Sequence, residues 1–454
     1  MDTTTLARDV IKEAQKRGCA LAEVFIKEGK KLSVEAKDGK VEALDEAEDF
    51  GMAIRVIKNG SLGFSFTTKP PALAGEGFRE AVEKAIESTQ WTSPDEYNDI
   101  PQYRPPSDVV VLDSEIENIS EEDVIKKALL LEEGALNLDE RIKKVRKAVA
   151  IFTITQTTIH NSRGIEILYK STLTTAHVMA LAIEAQDSQT GWDFAISRRL
   201  ADIDFAQVGV NAGRKAILLL NARRIVPFKG SVVFDPSTAF QFLGILSASL
   251  SAEAVQKGKS MLKDKVGKSI ISPAINVIDD GLIPWGAGTK PVDDEGVSTS
   301  RKTLISEGML TGFIHNTYTA RKDGVMSTGN AIRDSFKSLP GIDVTNLYIE
   351  PAEIEPNINT QAGYNQLIKS LSKGILVLDV MGVHTANPIS GDFSIGISGL
   401  WIENGETVYP VKEAIISGNI LELFKNVEGV GEDLRFYGQL GSPSLLIGGV
   451  DISA

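Results

Sequence analysis

Histidine and cysteine carry most nucleophilic, acid–base and zinc chemistry, and this chain holds only His160, His177, His315, His384 and a lone Cys19. No two histidines stand within one helical turn of each other. A zinc pair of the HExxH kind, which needs both imidazoles on one helix face, is therefore absent. A metal site assembled from distant histidines competes against structural or exposed roles, and the structural reading is preferred. Cys19 follows Gly18 at the end of a predicted helix. A nucleophilic thiolate needs a base and an electropositive setting, and a small, partly buried hydrophobe is the better reading. The nucleophile elbow G-x-S-x-G does not occur. Gly286-Ala-Gly-Thr-Lys290 fails the phosphate-loop spacing, and Pro291 blocks the helix that would hold the phosphate, so it reads as a Gly-rich turn. Two acidic clusters, Asp279-Asp280 and Asp293-Asp294-Glu295, suit a hard divalent ion. Each also precedes a glycine, Gly281 or Gly296, and turn chemistry is the preferred reading.

The elements that must position these residues are legible in part. Leu6, Val10, Ile11 and Ala14 share one face of a helix over Thr5–Arg17, stopped by Gly18. Short β segments follow at Ala22–Lys27, Lys31–Lys37, Lys40–Leu44, Met52–Ile57 and Ser61–Thr67. Asp38-Gly39 and Asn59-Gly60 supply two-residue hairpin turns between them. A second helix is predicted over Glu76–Ser88. The stretch 92–107, with Pro94, Pro101, Pro105 and Pro106, reads as a connector. Ser120-Glu-Glu-Asp123 forms a capping box ahead of a helix through Leu131. Lys144–His160 and Gly164–Asp187 alternate over unusual lengths, as in a long half-exposed hairpin, and a helix is predicted over Asp204–Leu220. Beyond a boundary near 225 come short apolar runs: Val232–Phe234, Ala274–Ile278 and Ile375–Val380. The predicted class is α+β. Residues 1–225 form a helix and antiparallel-meander region with the long hairpin, and 226–454 form a β-dominated C-terminal domain.

Composition narrows the function classes. The 454 residues are 42% hydrophobic and 24% charged, with a net charge of −13. That length gives room for two to four domains with real cores. The acidic balance disfavours duplex nucleic acid. A single cysteine excludes a disulfide framework and fits a reducing compartment. No basic and apolar leader is legible in Met-Asp-Thr-Thr-Thr-Leu. The apolar stretch Ala239–Val255 is broken by serines and falls short of the ~20 residues of a membrane span. A cytoplasmic location is expected.

An ordered set of strings fills the C-terminal half: Val292-Asp-Asp-Glu-Gly296, Ser327-Thr-Gly-Asn-Ala331 with Arg333, Thr345-Asn-Leu347, Ser390-Gly-Asp-Phe-Ser394, Trp401-Ile-Glu-Asn-Gly405, Tyr409-Pro-Val411, Ser417-Gly-Asn419 and Val430-Gly431. With the turn Asn161-Ser-Arg-Gly164, this set resembles the TldD/PmbA family, also called TldD/TldE or modulator of DNA gyrase. The resemblance implies a two-subunit peptidase acting on peptides and unfolded segments. A TldD-type subunit holds zinc through an HExxxH helix and a cysteine near its C-terminus, and a TldE/PmbA-type subunit lacks them. In this register the two histidines and the glutamate fall at Leu243, Ala248 and Gly244. The interval from Leu434 to Pro443 contains no cysteine.

The resemblance therefore implies the TldE/PmbA branch: a chain with no catalytic residue and no metal of its own, with zinc in a TldD-type partner. Ser390, Gly391, Asp392, Phe393 and Ser394 are the candidate cleft or interface residues. A homodimer is the alternative assembly, and extended peptides are the expected substrates; neither nucleic acid nor membrane is expected as a partner. Two rival functions remain open: a stand-alone, homo-oligomeric peptide-binding protein that uses β-augmentation, and a hydrolase built on the acidic clusters and a divalent ion.

Overall fold

A computed structural model describes residues 2–69, 77–352 and 364–453. The first unit begins with helix α1 (Thr3–Lys16) and the strands β1 (Leu21–Lys37), β2 (Lys40–Lys58) and β3 (Ser61–Thr67). Asp38 and Gly39 have φ of 53° and 70°, and Asn59 and Gly60 have φ of 52° and 79°. Both positions of each turn are left-handed, which Asn-Gly and Asp-Gly accept at least cost. Helices α2 (Gly77–Ser88), α3 (Ser114–Glu117) and α4 (Glu121–Leu136) follow, then β4 (Ile142–Asn161), β5 (Glu166–Glu184), β6 (Asp187–Ser197) and α5 (Phe205–Leu218). The expected start of α2, Glu76, lies outside the described residues. The Ser120 hydroxyl caps α4 by accepting from the Asp123 amide at 3.1 Å.

The strands form one six-stranded sheet in the order β3-β2-β1-β4-β5-β6, antiparallel throughout. Alternation assigns its two faces. Ala22, Val24, Ile26, Met52, Ile54 and Val56 pack under α1 and α2. Val34, Ala148, Ala150, Phe152, Ala176 and Val178 form a second core with residues of α4 and α5. Helices α1, α2, α4 and α5 thus cover one face. At one end of the other face, Phe25, Ala53, Ile159 and Ile167 pack on Val292 from the second half of the chain.

The Pro-rich stretch 92–107 is pinned along its length. Asn161 donates its amide to the Pro101 carbonyl, Arg163 pairs with Asp99, and the Ser107 amide bonds the Pro291 carbonyl.

The second half holds β7 (Phe228–Phe234), α6 (Pro236–Ser247), α7 (Ala252–Gln256), β8 (Ile275–Asp280), β9 (Arg301–Ser306), β10 (Met309–Leu310), α8 (Thr317–Asp323), β11 (Ala331–Ile332), β12 (Gly341–Ile342) and β13 (Leu347–Pro351). It continues through α9 (Tyr364–Ser370), β14 (Lys373–Met381), β15 (Asp392–Glu403), β16 (Glu406–Asn419), α10 (Ile420–Lys425), β17 (Val427–Val430), β18 (Arg435–Tyr437), β19 (Leu440–Ser442) and β20 (Leu445–Ser453). Strands β16-β15-β14-β7-β20 close on themselves through the β16–β20 pairing, with β17 added beside β20. Closure into a barrel removes open edges. A second six-stranded sheet runs β10-β9-β8-β13-β19-β18. The α+β class and the β-rich C-terminal half stand as expected. The Asp279-Asp280 pair ends strand β8, whereas a turn was the preferred reading there.

Candidate functional site

Helix α6 and the residue that follows it carry the positions that the family resemblance aligns with the zinc ligands. Asp235 caps it by accepting from the Thr238 amide at 2.9 Å, and Pro236 opens its first turn. Its residues are apolar on nearly every side, so the helix is buried between the barrel and the second sheet. Phe242 stacks on Phe234 with ring centroids 4.7 Å apart and meets Phe393 edge-on at 5.5 Å. Leu243 is fully buried in that core. A Cβ on Gly244 would meet the Leu440 side chain at 3.3 Å. Ala248 is exposed, past the end of the helix. Leucine, glycine and alanine offer no lone pair, so this donor set does not fit zinc. Among the described residues no group of three or more His, Cys, Asp and Glu side chains is placed to hold a metal ion.

The run Ser390–Ser394 lies beside α6 through the Phe242–Phe393 contact and a bond from the Ser249 hydroxyl to the Pro388 carbonyl. It is a laced turn. The Asn387 side chain accepts from the Ile389 and Ser390 amides. Asp392 accepts from the Asn419 amide at 3.0 Å and from the Ser390 hydroxyl at 2.7 Å. These two bonds, Asn419 first, hold the Asp392 carboxyl below its ordinary range. Gly391 takes a φ of 83°, and Ser390, Asp392 and Ser394 are exposed.

The acidic clusters are engaged within the protein. Asp279 accepts from the Thr345 amide at 2.6 Å and the Asn330 side chain at 2.8 Å, with Lys302 3.1 Å away. Asp293 accepts from the Glu295, Val297 and Ala331 amides, and Asp294 from Lys290 and the Arg333 amide. Glu295 accepts from Arg55 at 2.9 Å and from the Thr317 amide. Arg55 also reaches Glu23, which takes a further bond from Arg333. Strands β1 and β2 are thereby clasped to the second half by buried charge. The run 293–295 is a turn closed by Gly296 at φ 87°.

The remaining candidates are inert or scattered. Burial pushes the Cys19 thiol up, with Lys58 a weaker opposing influence, so it stays protonated. The histidines His160, His177 and His315 lie apart, and burial lowers each of them.

Sequence reasoning missed a cavity of ≈ 260 Å³, lined by charged, hydroxyl and apolar side chains, between the uncovered sheet face and the segment 290–335. Lys27, Tyr169, Arg198, Lys290, Asp294 and Arg333 are among its lining residues. Its floor was legible as the alternating threonines Thr153, Thr155 and Thr157, which share one face of β4.

The chain matches the PmbA/TldA metallopeptidase domain 1 over residues 22–89, the central domain over 114–220 and the C-terminal domain over 227–454. It belongs to the PmbA/TldD family of metallopeptidases. It is 26% identical to the metalloprotease PmbA of Escherichia coli O157:H7, over 94% of this chain and 90% of the relative. The structure of a Thermotoga maritima protein described as a modulator of DNA gyrase superposes with a TM-score of 0.90 at 27% identity, covering 99% of this chain and 100% of the other. TldE from Thermococcus kodakarensis shares the fold, with a TM-score of 0.89 at 22% identity over 98% of this chain and 99% of that one.

Proposed function

We propose that this chain is a non-catalytic, PmbA/TldE-type subunit of a zinc peptidase that processes peptides or unfolded segments. The zinc belongs to a TldD-type partner. One feature supports the reading: in the register that the family resemblance implies, the ligand positions fall on Leu243, Gly244 and Ala248, which offer no side-chain donor atom. Hydrolysis by zinc needs about three protein ligands, an open position and usually a general base. The Escherichia coli relative is named a metalloprotease; in this reading that activity belongs to the assembly and not to this chain. The chain contributes by shaping the cleft and positioning substrate, which lowers a barrier without supplying ligand, base or nucleophile. The run Ser390–Ser394 beside α6, exposed at Ser390, Asp392 and Ser394, is the part of the surface proposed to meet the partner or the substrate.

The test is elemental analysis and peptidase assay of the purified chain, alone and mixed with a family member that has an intact HExxxH helix. The chain alone is expected to hold no stoichiometric zinc and cleave nothing, and the mixture to show chelator-sensitive activity. About one zinc per chain, with turnover in the chain alone, would overturn the reading.

A further inference from the structure

The cavity on the uncovered sheet face has an unbalanced charge inventory. Its wall contains four cationic side chains, Lys27, Arg198, Lys290 and Arg333, against the single carboxylate of Asp294. Lys290 is matched to Asp294 at 3.0 Å, and Arg333 to Glu23, which lies behind the wall. Among the described residues, Arg198 and Lys27 have no carboxylate within ion-pair distance. The Arg198 guanidinium is buried and is held only by carbonyls, those of Gly286, Thr172 and Ala287. Burial pushes it down to about 10, with Tyr169 offsetting this in part. Arg333 keeps its buried Nε without a hydrogen-bond partner. A buried cation without a counter-charge is costly, and an anion beside it recovers part of that cost.

Register explains why hydroxyls gather at the same place. Lys27 pairs with Thr157 and Thr157 with Tyr169, while Thr155 pairs with Ser171. These side chains therefore stand in rows on one face of β1, β4 and β5. Hydroxyls and amino groups around a positive cavity suit an oxyanion. Phe25, Leu173 and Ile332 complete the wall, and these apolar contacts suit an organic carboxylate better than a bare inorganic ion.

We propose that this cavity is an anion-recognition site that takes the terminal carboxylate of a short peptide, with the adjoining residue's side chain against the apolar part of the wall. The choice of a peptide as ligand rests on the peptide-handling reading above.

The test is titration calorimetry of the full purified chain with an N-acetylated tripeptide, its C-terminal amide and inorganic phosphate. The free acid is expected to bind about tenfold or more tightly than the amide, because a lost charge-assisted bond has that effect. Lys27→Gln and Thr155→Val, at positions that are not fully buried, should each reduce this selectivity while leaving the thermal transition in place. Equal binding of acid and amide, binding of neither, selectivity unchanged in both variants, or phosphate competing at the affinity of the acid would each overturn the proposal. The measurement needs neither partner nor zinc. A chain that bound zinc and cleaved peptides alone would sink the subunit reading and leave the acid-to-amide ratio untouched.

Discussion

Glu23 and Glu166 are both carboxylates paired with arginine, yet their surroundings separate them sharply. Glu23 is fully buried and accepts from Arg55 and Arg333 at 2.5 Å each. Glu166 meets Arg8 at 2.7 Å with about half of both side chains in water. Removing one member of a buried ionic group leaves the others uncompensated in a medium that solvates them poorly. Glu23→Gln should therefore cost about 3–5 kcal/mol. Arg8→Ala should cost far less, because water and salt screen that pair. Urea denaturation of the two variants checks this. A small loss for Glu23→Gln would mean that the clasp between the sheet and the second half contributes little to stability.

At the scale of elements, α4 and α5 approach closely enough to exclude side chains at their crossing. A Cβ on Gly209 would stand 2.2 Å from the Leu131 carbonyl, and one on Gly134 would stand 2.1 Å from the Ala206 carbonyl. Gly209→Ala gains helix propensity but forces the helices apart. The expected net cost is about 1–3 kcal/mol, the range for overpacking, and a lowered Tm measures it. A Tm equal to or above the parent's would show that the helices can separate freely. The same elements show what sequence reveals. Helices α1 and α4 were legible because an apolar helical run meets the Gly18 stop in the first and the Ser120 capping box in the second. Strands β1 and β2 read as fragments because their middles, around Lys30 and Glu46–Glu48, are exposed ribbon without a buried face. Edge strand β6 was missed, and α6, apolar on nearly every side, gives no amphipathic signal. The candidate site was harder still. The turn at Gly296 is written locally, whereas the meeting of Asp279, Asn330 and Thr345 depends on contacts between distant segments.

For the molecule as a whole, no described helix is long and apolar enough to cross a membrane, and stability rests on cores that enclose titratable groups in both halves of the chain. Burial lowers His160, His177 and His315 from the ordinary 6.5, with Glu166, Asp193 and Asp323 respectively opposing the shift in part. For such a group the unfolded chain takes up more protons than the native one as pH falls through 6.5. Stability is therefore fully present above that value and is lost as pH drops toward the folded pKa. Two carboxylates act elsewhere on the scale. Asp139, pulled down to about 2 by Arg141, keeps its contribution until pH falls through 3.8. Asp293, pushed up to about 8 by burial and then by Glu295, takes up a proton on folding and so gains stability as pH falls from 8. A single pH curve mixes these effects, but a difference between variants separates them. With His160, His177 and His315 all replaced by Gln, the stability gap to the parent should be widest near neutral pH. It should narrow as pH falls below 6.5, because only the parent then loses the histidine contribution, while the Asp139 and Asp293 effects cancel in the comparison. Urea midpoints measured across that range check it. A gap that stayed constant would mean that these histidines charge in the folded protein as readily as in the unfolded chain.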